Sequence, residues 1–348
     1  MPTRTGRDIV VVAASAGGLL PLRKLLAGLP ADLPASVLIV LHIPATGGQA
    51  LPRILDRSGP LPAAIPADGE KLAPGRVYVP PPDRHLLVVG GAIRLSRGPR
   101  QNGVRPAADP LFRSAALYGG PRIVAVVLSG TLDDAALGCA TVERQGGVVV
   151  VQDPAEAAYP GMPGSTLAAT HHALTAPVAE LPGLVTHLVT DEIGCPAGDD
   201  PADDLGAEIG RLLDRDLEHN VLDRPYTGFT CTDCGGPLYL GNEGDASTYD
   251  CVAGHSWSAQ SLLEEQSDAV ERAVWLAVRT LDERARLTGR LASQAAQRGQ
   301  QFSARRFREA AREASEAAEQ MRKVADGLTT AGSELDDPTG HGNTAPIE

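Results

Sequence analysis

Aromatic residues are scarce in this chain: Phe, Trp and Tyr make up 3% of its 348 residues. Its core must therefore be built from Val, Leu, Ile and Ala, within a hydrophobic content of 43%. No apolar run approaches the roughly 20 residues that a membrane-spanning helix requires. The N-terminus lacks the basic-then-apolar layout of a signal peptide, and its first long apolar stretch reads as a strand. A disulfide framework is also missing, because three of the five cysteines cluster with a histidine at metal-ligand spacing. The expectation is a soluble cytoplasmic protein with no membrane insertion.

Positive charge is short as well, but unevenly so. The net charge is −12, yet residues 1–190 carry 16 Lys/Arg against 13 Asp/Glu while residues 191–348 carry 15 against 30. Such a step suggests two modules with different surfaces and argues against nucleic acid as a partner of the acidic half.

What the first 190 residues do have is an alternation of short β-rich runs with helical stretches, the mark of an α/β fold: a doubly wound, mostly parallel sheet with helices on both faces. Asp8–Ala14 is continuously apolar after its first residue, as a strand buried on both faces should be. Ser36–Leu41, Arg122–Leu128 and Val148–Gln152 repeat the pattern, with helices expected over Leu19–Leu29, Asp109–Tyr118 and Asp134–Gln145. Arg76–Pro80 and His85–Leu95 alternate enough to suggest an edge hairpin. Residues 191–224 read as an acidic linker passing into a short helix, 225–263 as a compact Cys/Gly-rich module, 264–330 as helical and 331–348 as a disordered tail. Within the helical part, Phe307, Ala310, Ala314, Ala317, Met321, Val324 and Leu328 step by three and four, as do Val270, Val274, Ala277 and Leu281. An antiparallel hairpin or a coiled-coil homodimer satisfies both stripes.

Three strand ends carry reactive side chains. Ser15 follows the first strand within Ala14-Ser15-Ala16-Gly17-Gly18, at the carboxyl end where open α/β sheets place their ligands. Gly17 and Gly18 let the chain turn into the next helix and expose N–H groups to an incoming oxyanion. The same turn would serve a nucleotide or a helix N-cap, although it is not a G-x-G-x-x-G fingerprint. His42 ends the second strand and lies on the same rim. Asp133 and Asp134 follow the third, where a carboxylate either caps the next helix or orients an imidazole.

The segments VVAASAGGL, VLHIP, VRPAADPLFRSAA, VVLSGTLDDAALG and YPGMP occur in the order found in the CheB-type chemotaxis protein-glutamate methylesterase domain, and residues 8–190 resemble it throughout. The resemblance implies a Ser-His-Asp hydrolase with Ser15 as nucleophile, His42 as base and Asp134, rather than Asp133, as third member. It implies an oxyanion donor at the Thr131 N–H, a substrate-side position for Arg105 and no catalytic cofactor. The implied substrate is the glutamate methyl ester, or the glutamine amide, of a chemoreceptor or related signalling protein. Ala16, Leu41, Thr131, Leu132 and Ala135 depart from the family's Thr, Gln, Met, Gly and Gly. A non-catalytic sensory adaptor that keeps the fold is the competing reading. Family members commonly carry an N-terminal receiver domain. With seven residues before the first strand, control by phosphorylation in cis is not expected here.

Cys231-x-x-Cys234 and Cys251-x-x-x-His255 stand 16 residues apart. Two such pairs fit a tetrahedral structural zinc ribbon with no open position. A module of about 40 residues with few large apolar groups needs such a staple. Cys139 and Cys195 read as ordinary thiols.

Overall fold

In the computed structural model the described residues are 6–42, 50–191, 209–210, 221–243 and 246–335. Most of the expected acidic linker, Cys195 and residues 336–348 lie outside them. The chain forms two compact units, Met1–Leu262 and Leu263–Glu348.

The first unit begins with β1 (Ile9–Ala14), α1 (Leu19–Gly28), β2 (Ser36–Leu41), α2 (Ala50–Asp56), β3 (Ala63–Ala64) and β4 (Val77–Tyr78). It continues through β5 (His85–Val89), β6 (Ala92–Ser96), α3 (Ala108–Gly119), β7 (Ile123–Val127), α4 (Ala136–Arg144), β8 (Val148–Gln152), α5 (Gly161–Ala169), β9 (Leu174–Ala176) and α6 (Leu181–Thr190). Seven strands form one parallel sheet in the order β3-β4-β2-β1-β7-β8-β9. Chain order reverses beside β1, whose neighbours are β2 and β7, and at such a point the loops after adjacent strands part and leave a crevice.

Both faces of β1 are covered, which is why its sequence does not alternate. Val10, Val12 and Ala14 pack with Leu22, Leu25 and Leu26 of α1, Leu55 of α2 and Val185 of α6. Ile9, Val11 and Ala13 pack with Leu111 and Phe112 of α3, Cys139 and Val142 of α4, and Met162 of α5. Burying each Val or Leu contributes about 1.5–3 kcal/mol, and the sheet centre is made almost wholly of such residues.

One expected hairpin is different in the structure. Val77–Tyr78 joins the parallel sheet through β2, and the hairpin lies entirely within 85–96 as β5 and β6. Pro80, Pro81 and Pro82 lack the N–H that a ladder needs and end β4. Gly90 and Gly91, both at positive φ, then supply the tight turn.

The remaining strands of this unit, β10 (Tyr226–Thr230), β11 (Pro237–Glu243), β12 (Ala246–Cys251) and β13 (Ser256–Ser258), form a separate four-stranded antiparallel sheet. Its core is small: Cys231, Leu238, Cys251, Trp257 and Leu262, with Tyr249 against them.

Two long helices follow, α7 (Ala259–Gln297) and α8 (Gln301–Leu335). Arg322 of α8 reaches Asp282 of α7 at 2.6 Å, so within the second unit they pair as an antiparallel hairpin. The buried seam of α8 runs through Ala304, Ala314, Ala318 and Ala325. Two positions of the expected heptad are thus displaced by one residue: Ala318 and Ala325 are buried where Ala317 and Val324 were expected, and Val324 is 47% exposed. On α7, Val278 is buried, whereas Val270 is exposed. Alanines stand at both 310–311 and 317–318, so either phase fits the pattern.

Candidate active site and metal centre

The register of β1 and β2 pairs Ala14 with Leu41, so Ser15 and His42 are each the first residue beyond neighbouring strands. Adjacent strands lie about 4.8 Å apart, which brings the two residues together on one rim. Both backbones are fixed there: Ser15 N–H donates to Ser129 O (3.0 Å), and His42 N–H to Ala14 O (3.0 Å). Gly18 N–H donates to the Ser15 carbonyl at 2.9 Å and closes the turn into α1. The Gly18 N–H, an expected oxyanion donor, is thus engaged within the turn. Gly17 is exposed at φ +69°, and a Cβ there would sit 2.8 Å from Ala158 Cβ.

The loop after β7 is tied to the segment before α5. Buried Ser129 donates through Oγ to Ala16 O (2.8 Å) and accepts the Tyr159 N–H (3.0 Å). Its own N–H donates to Gln152 Oε1 at 2.9 Å. Gly130 N–H donates to Tyr159 O at 3.0 Å, and a Cβ on Gly130 would collide with Met162 and approach Ser15 Cβ to 2.9 Å. Only glycine lets this loop press against the serine. Leu132 (φ 60°) and Ala135 (φ 90°) keep left-handed backbone where side chains are strained. Thr131, between Gly130 and Leu132, is exposed.

Asp134 is 3% exposed. Its Oδ2 lies 2.7 Å from His42 Nε2 and accepts the Ala108 N–H at 2.6 Å, while Oδ1 accepts the Asp109 N–H at 3.2 Å and Asn102 Nδ2 at 3.4 Å. Burial alone would push this carboxyl up. The hydrogen bond and charge of His42, with two N–H groups from the first turn of α3, outweigh it and hold the group well below the usual range. Asp133 differs: burial pushes its carboxyl up against hydrogen bonds from Ser258 and Ser261 Oγ at 2.9 and 2.8 Å.

The Arg105 guanidinium is engaged within its own loop. Its Nε and Nη2 donate to Asp83 Oδ1 (2.9 and 2.6 Å), and Nη1 to the carbonyls of Arg97 and Gly98. All three nitrogens hold the loop from 83 to 105 and are committed there. Asp109, 1% exposed, accepts the Gly138 N–H at 2.7 Å and anchors α4. Cys139 is a buried thiol whose pKa burial drives upward, fitting an inert core residue. Ser129, Gln152, Tyr159 and Asn102 organise the site without a sequence signal: their bonds run between loops far apart in the chain and follow no period.

In the ribbon, Cys231, Cys234, Cys251 and His255 present donor atoms that all lie within 4.8 Å of one another. Gly235 N–H donates to Cys231 O (2.8 Å) and Gly254 N–H to Cys251 O (2.9 Å), which closes both knuckles. Cys234 Sγ and Cys251 Sγ are 3.7 Å apart, and His255 Nδ1 lies 3.4 Å from Cys251 Sγ and 3.7 Å from Cys231 Sγ. Bonds of about 2.3 Å to sulfur and 2.0 Å to nitrogen in a tetrahedron require edges of about 3.6–3.8 Å, so the donor set fits zinc. The thiols are free, and Asp233 lies 3.8 Å from His255 Nε2, where a carboxylate steadies a ligating imidazole. The Cys251 hydrogen bond and that of His255 hold the Cys231 thiol far below its ordinary value against burial.

A hydroxyl, an imidazole and a buried carboxylate on the rim of a doubly wound parallel sheet define an α/β protein with a hydrolase-like site. The CheB methylesterase family model matches residues 10–185, and the chain belongs to that family. It is 45% identical over 163 residues to protein-glutamate methylesterase/protein-glutamine glutaminase 3 of Anaeromyxobacter dehalogenans, covering 46% of this chain and 48% of that one. Protein-glutamate methylesterase/protein-glutamine glutaminase 4 of Myxococcus xanthus is 40% identical over 189 residues, covering 54% and 52%. The matched part thus spans about half the length of these curated relatives. The crystal structure of the Thermotoga maritima CheB methylesterase catalytic domain superimposes with a TM-score of 0.50 at 31% identity, covering 52% of this chain and 98% of that one.

Proposed function

We propose that this protein hydrolyses glutamate methyl esters on a chemoreceptor or related signalling protein, with Ser15, His42 and Asp134 as its triad. The observation that carries the reading is the 2.7 Å contact from His42 Nε2 to buried Asp134, one strand away from Ser15. With Nε2 held by the carboxylate, Nδ1 is the nitrogen that takes the Ser15 proton as Oγ attacks the ester carbonyl. Asp134 steadies the imidazolium, which then protonates departing methanol; water, activated by the same imidazole, releases glutamate and frees Ser15. Thr131 N–H is the oxyanion donor in this scheme, because the N–H groups of Gly18 and Gly130 are already bonded; one such donor is worth about 10²–10³ in rate. The relatives' names also include protein-glutamine glutaminase. With a glutamine amide, protonated nitrogen would leave as ammonia in place of methanol and give the same glutamyl acyl-enzyme.

The test is methanol release from a methylated chemoreceptor cytoplasmic fragment by wild type and Ser15→Ala. Release that vanishes in the variant supports the reading. No release from wild type, joined to a Ser15 inert toward a fluorophosphonate, would favour the adaptor.

Cys231, Cys234, Cys251 and His255 would hold one structural zinc, supplying a covalent-strength cross-link between two knuckles. Four protein ligands leave no open position for chemistry. Homodimerisation through the second unit is supported by exposed Trp275, Leu276 and Phe302; sedimentation equilibrium of the full chain tests it.

A further inference from the structure

The ribbon and the triad share a set of bonds. Backbone N–H of Asn102 donates to Ser256 O at 2.8 Å, and Gln101 bridges Ser256 and donates through Nε2 to Gly254 O at 3.2 Å. The Asn102 side chain then faces both ways. Its Oδ1 accepts the Ser258 N–H at 2.9 Å; its Nδ2 donates to Asp109 Oδ2 at 3.2 Å and to Asp134 Oδ1 at 3.4 Å. A carboxamide is rigid, so the place of Ser258 and the place of the triad carboxylate are set by one planar group. Asn102 sits at φ 50°, a left-handed backbone that asparagine tolerates better than most residues. Asp133, next to Asp134, accepts hydrogen bonds from Ser258 and Ser261. The dipeptide is therefore clamped, one carboxylate by the ribbon and the other by His42. Ser256 directly follows His255, the last of the four metal-type donors.

We propose that Asn102 is a positioning residue for Asp134 and that the metal-loaded ribbon is the brace that holds Asn102 in place. The proposal rests on the Ser-His-Asp reading above, and makes the reactivity of Ser15 conditional on a cross-link in another sheet. A carboxylate displaced by a fraction of an ångström no longer fixes the imidazole, a loss that appears in kcat rather than KM.

The test uses the full zinc-loaded chain with two readouts: the rate of Ser15 labelling by a fluorophosphonate, and the hydrogen-bonded His42 imidazole N–H proton in the nuclear magnetic resonance spectrum. Asn102→Ala should slow labelling about tenfold, the usual scale for an outer-shell partner. Asn102→Asp is the decisive variant. It can still accept the Ser258 N–H, but places a carboxylate beside Asp134 and Asp109, and should slow labelling about 10²-fold while the proton resonance shifts or broadens. Chelation of zinc should reproduce the Asn102→Ala effect, with the α/β domain still folded by near-ultraviolet circular dichroism. Wild-type labelling and an unmoved resonance in Asn102→Asp would overturn the positioning role. An unchanged rate after complete zinc removal would overturn the brace. Labelling without methanol release from any receptor fragment would strike at the proposed substrate and leave this inference standing, and the resonance reports on it even in an unreactive chain.

Discussion

The parallel sheet and the ribbon fix their polar side chains by opposite means. In the sheet, dozens of buried Val, Leu, Ile and Ala residues make a scaffold, and three reactive groups sit on its rim at no cost to the core. In the ribbon the core is five residues, two of them cysteines that are also metal-type donors. Apolar area is the main support of the first; the second has too little of it, and its polar donors must themselves serve as the cross-link. Function and stability are thus separable in the sheet and fused in the ribbon.

The largest expected effect sharpens that separation. Ser15→Ala should lower turnover by about 10⁴-fold or more while thermal unfolding of the α/β domain stays at the wild-type midpoint. The ribbon should behave otherwise. Cys231→Ser should take bound zinc from about one equivalent per chain to none, read by elemental analysis, and open residues 225–258 to limited proteolysis. A metal-free chain whose ribbon stays protected would break the comparison. Phe112→Ala, in the fully buried α3 face, should cost about 3–5 kcal/mol in urea denaturation, with zinc retained.

Acid separates the two neighbouring carboxylates. The depressed pKa of Asp134 contributes stability that is whole above the ordinary carboxylate value near 4 and lost as pH falls toward about 2. Asp133 has the opposite sign, since its raised pKa makes ionisation costly and acid relieves that cost. Urea midpoints should therefore fall between pH 4 and 2 in wild type and fall less in Asp134→Asn. The smallest effect concerns Ala135, held at φ 90°. Ala135→Gly should raise stability by about 1 kcal/mol in the same assay.

The central strands were legible because residues covered on both faces read as unbroken Val/Ile runs, and Ser36–Leu41 and Val148–Gln152 need no adjustment. Two-residue strands such as Val77–Tyr78 have no period to detect, which is why the edge was misjudged although Gly90-Gly91 marked the true turn. Ser15 and His42 were legible from their strand ends, and Asp134 only by resemblance, since nothing local distinguishes it from Asp133. The alanine seam of the hairpin was ambiguous by one residue because small side chains satisfy two phases equally. Asn102 was invisible: a lone asparagine in a loop reveals its role only once β13 is laid beside it.

The pairing of Ala14 with Leu41 bears on how such a protein can change. Side chains on a strand alternate, so one residue inserted into β1 or β2 would send its terminal group to the opposite layer and part serine from histidine. Point substitutions around the rim, such as those at Ala16, Leu41 and Thr131, leave this register untouched, whereas length changes inside the two strands do not. Any natural or engineered diversity among such chains should therefore reside in loops, tails and appended modules, with the spacing from Ile9 to Ser15 and from Ser36 to His42 kept to the residue.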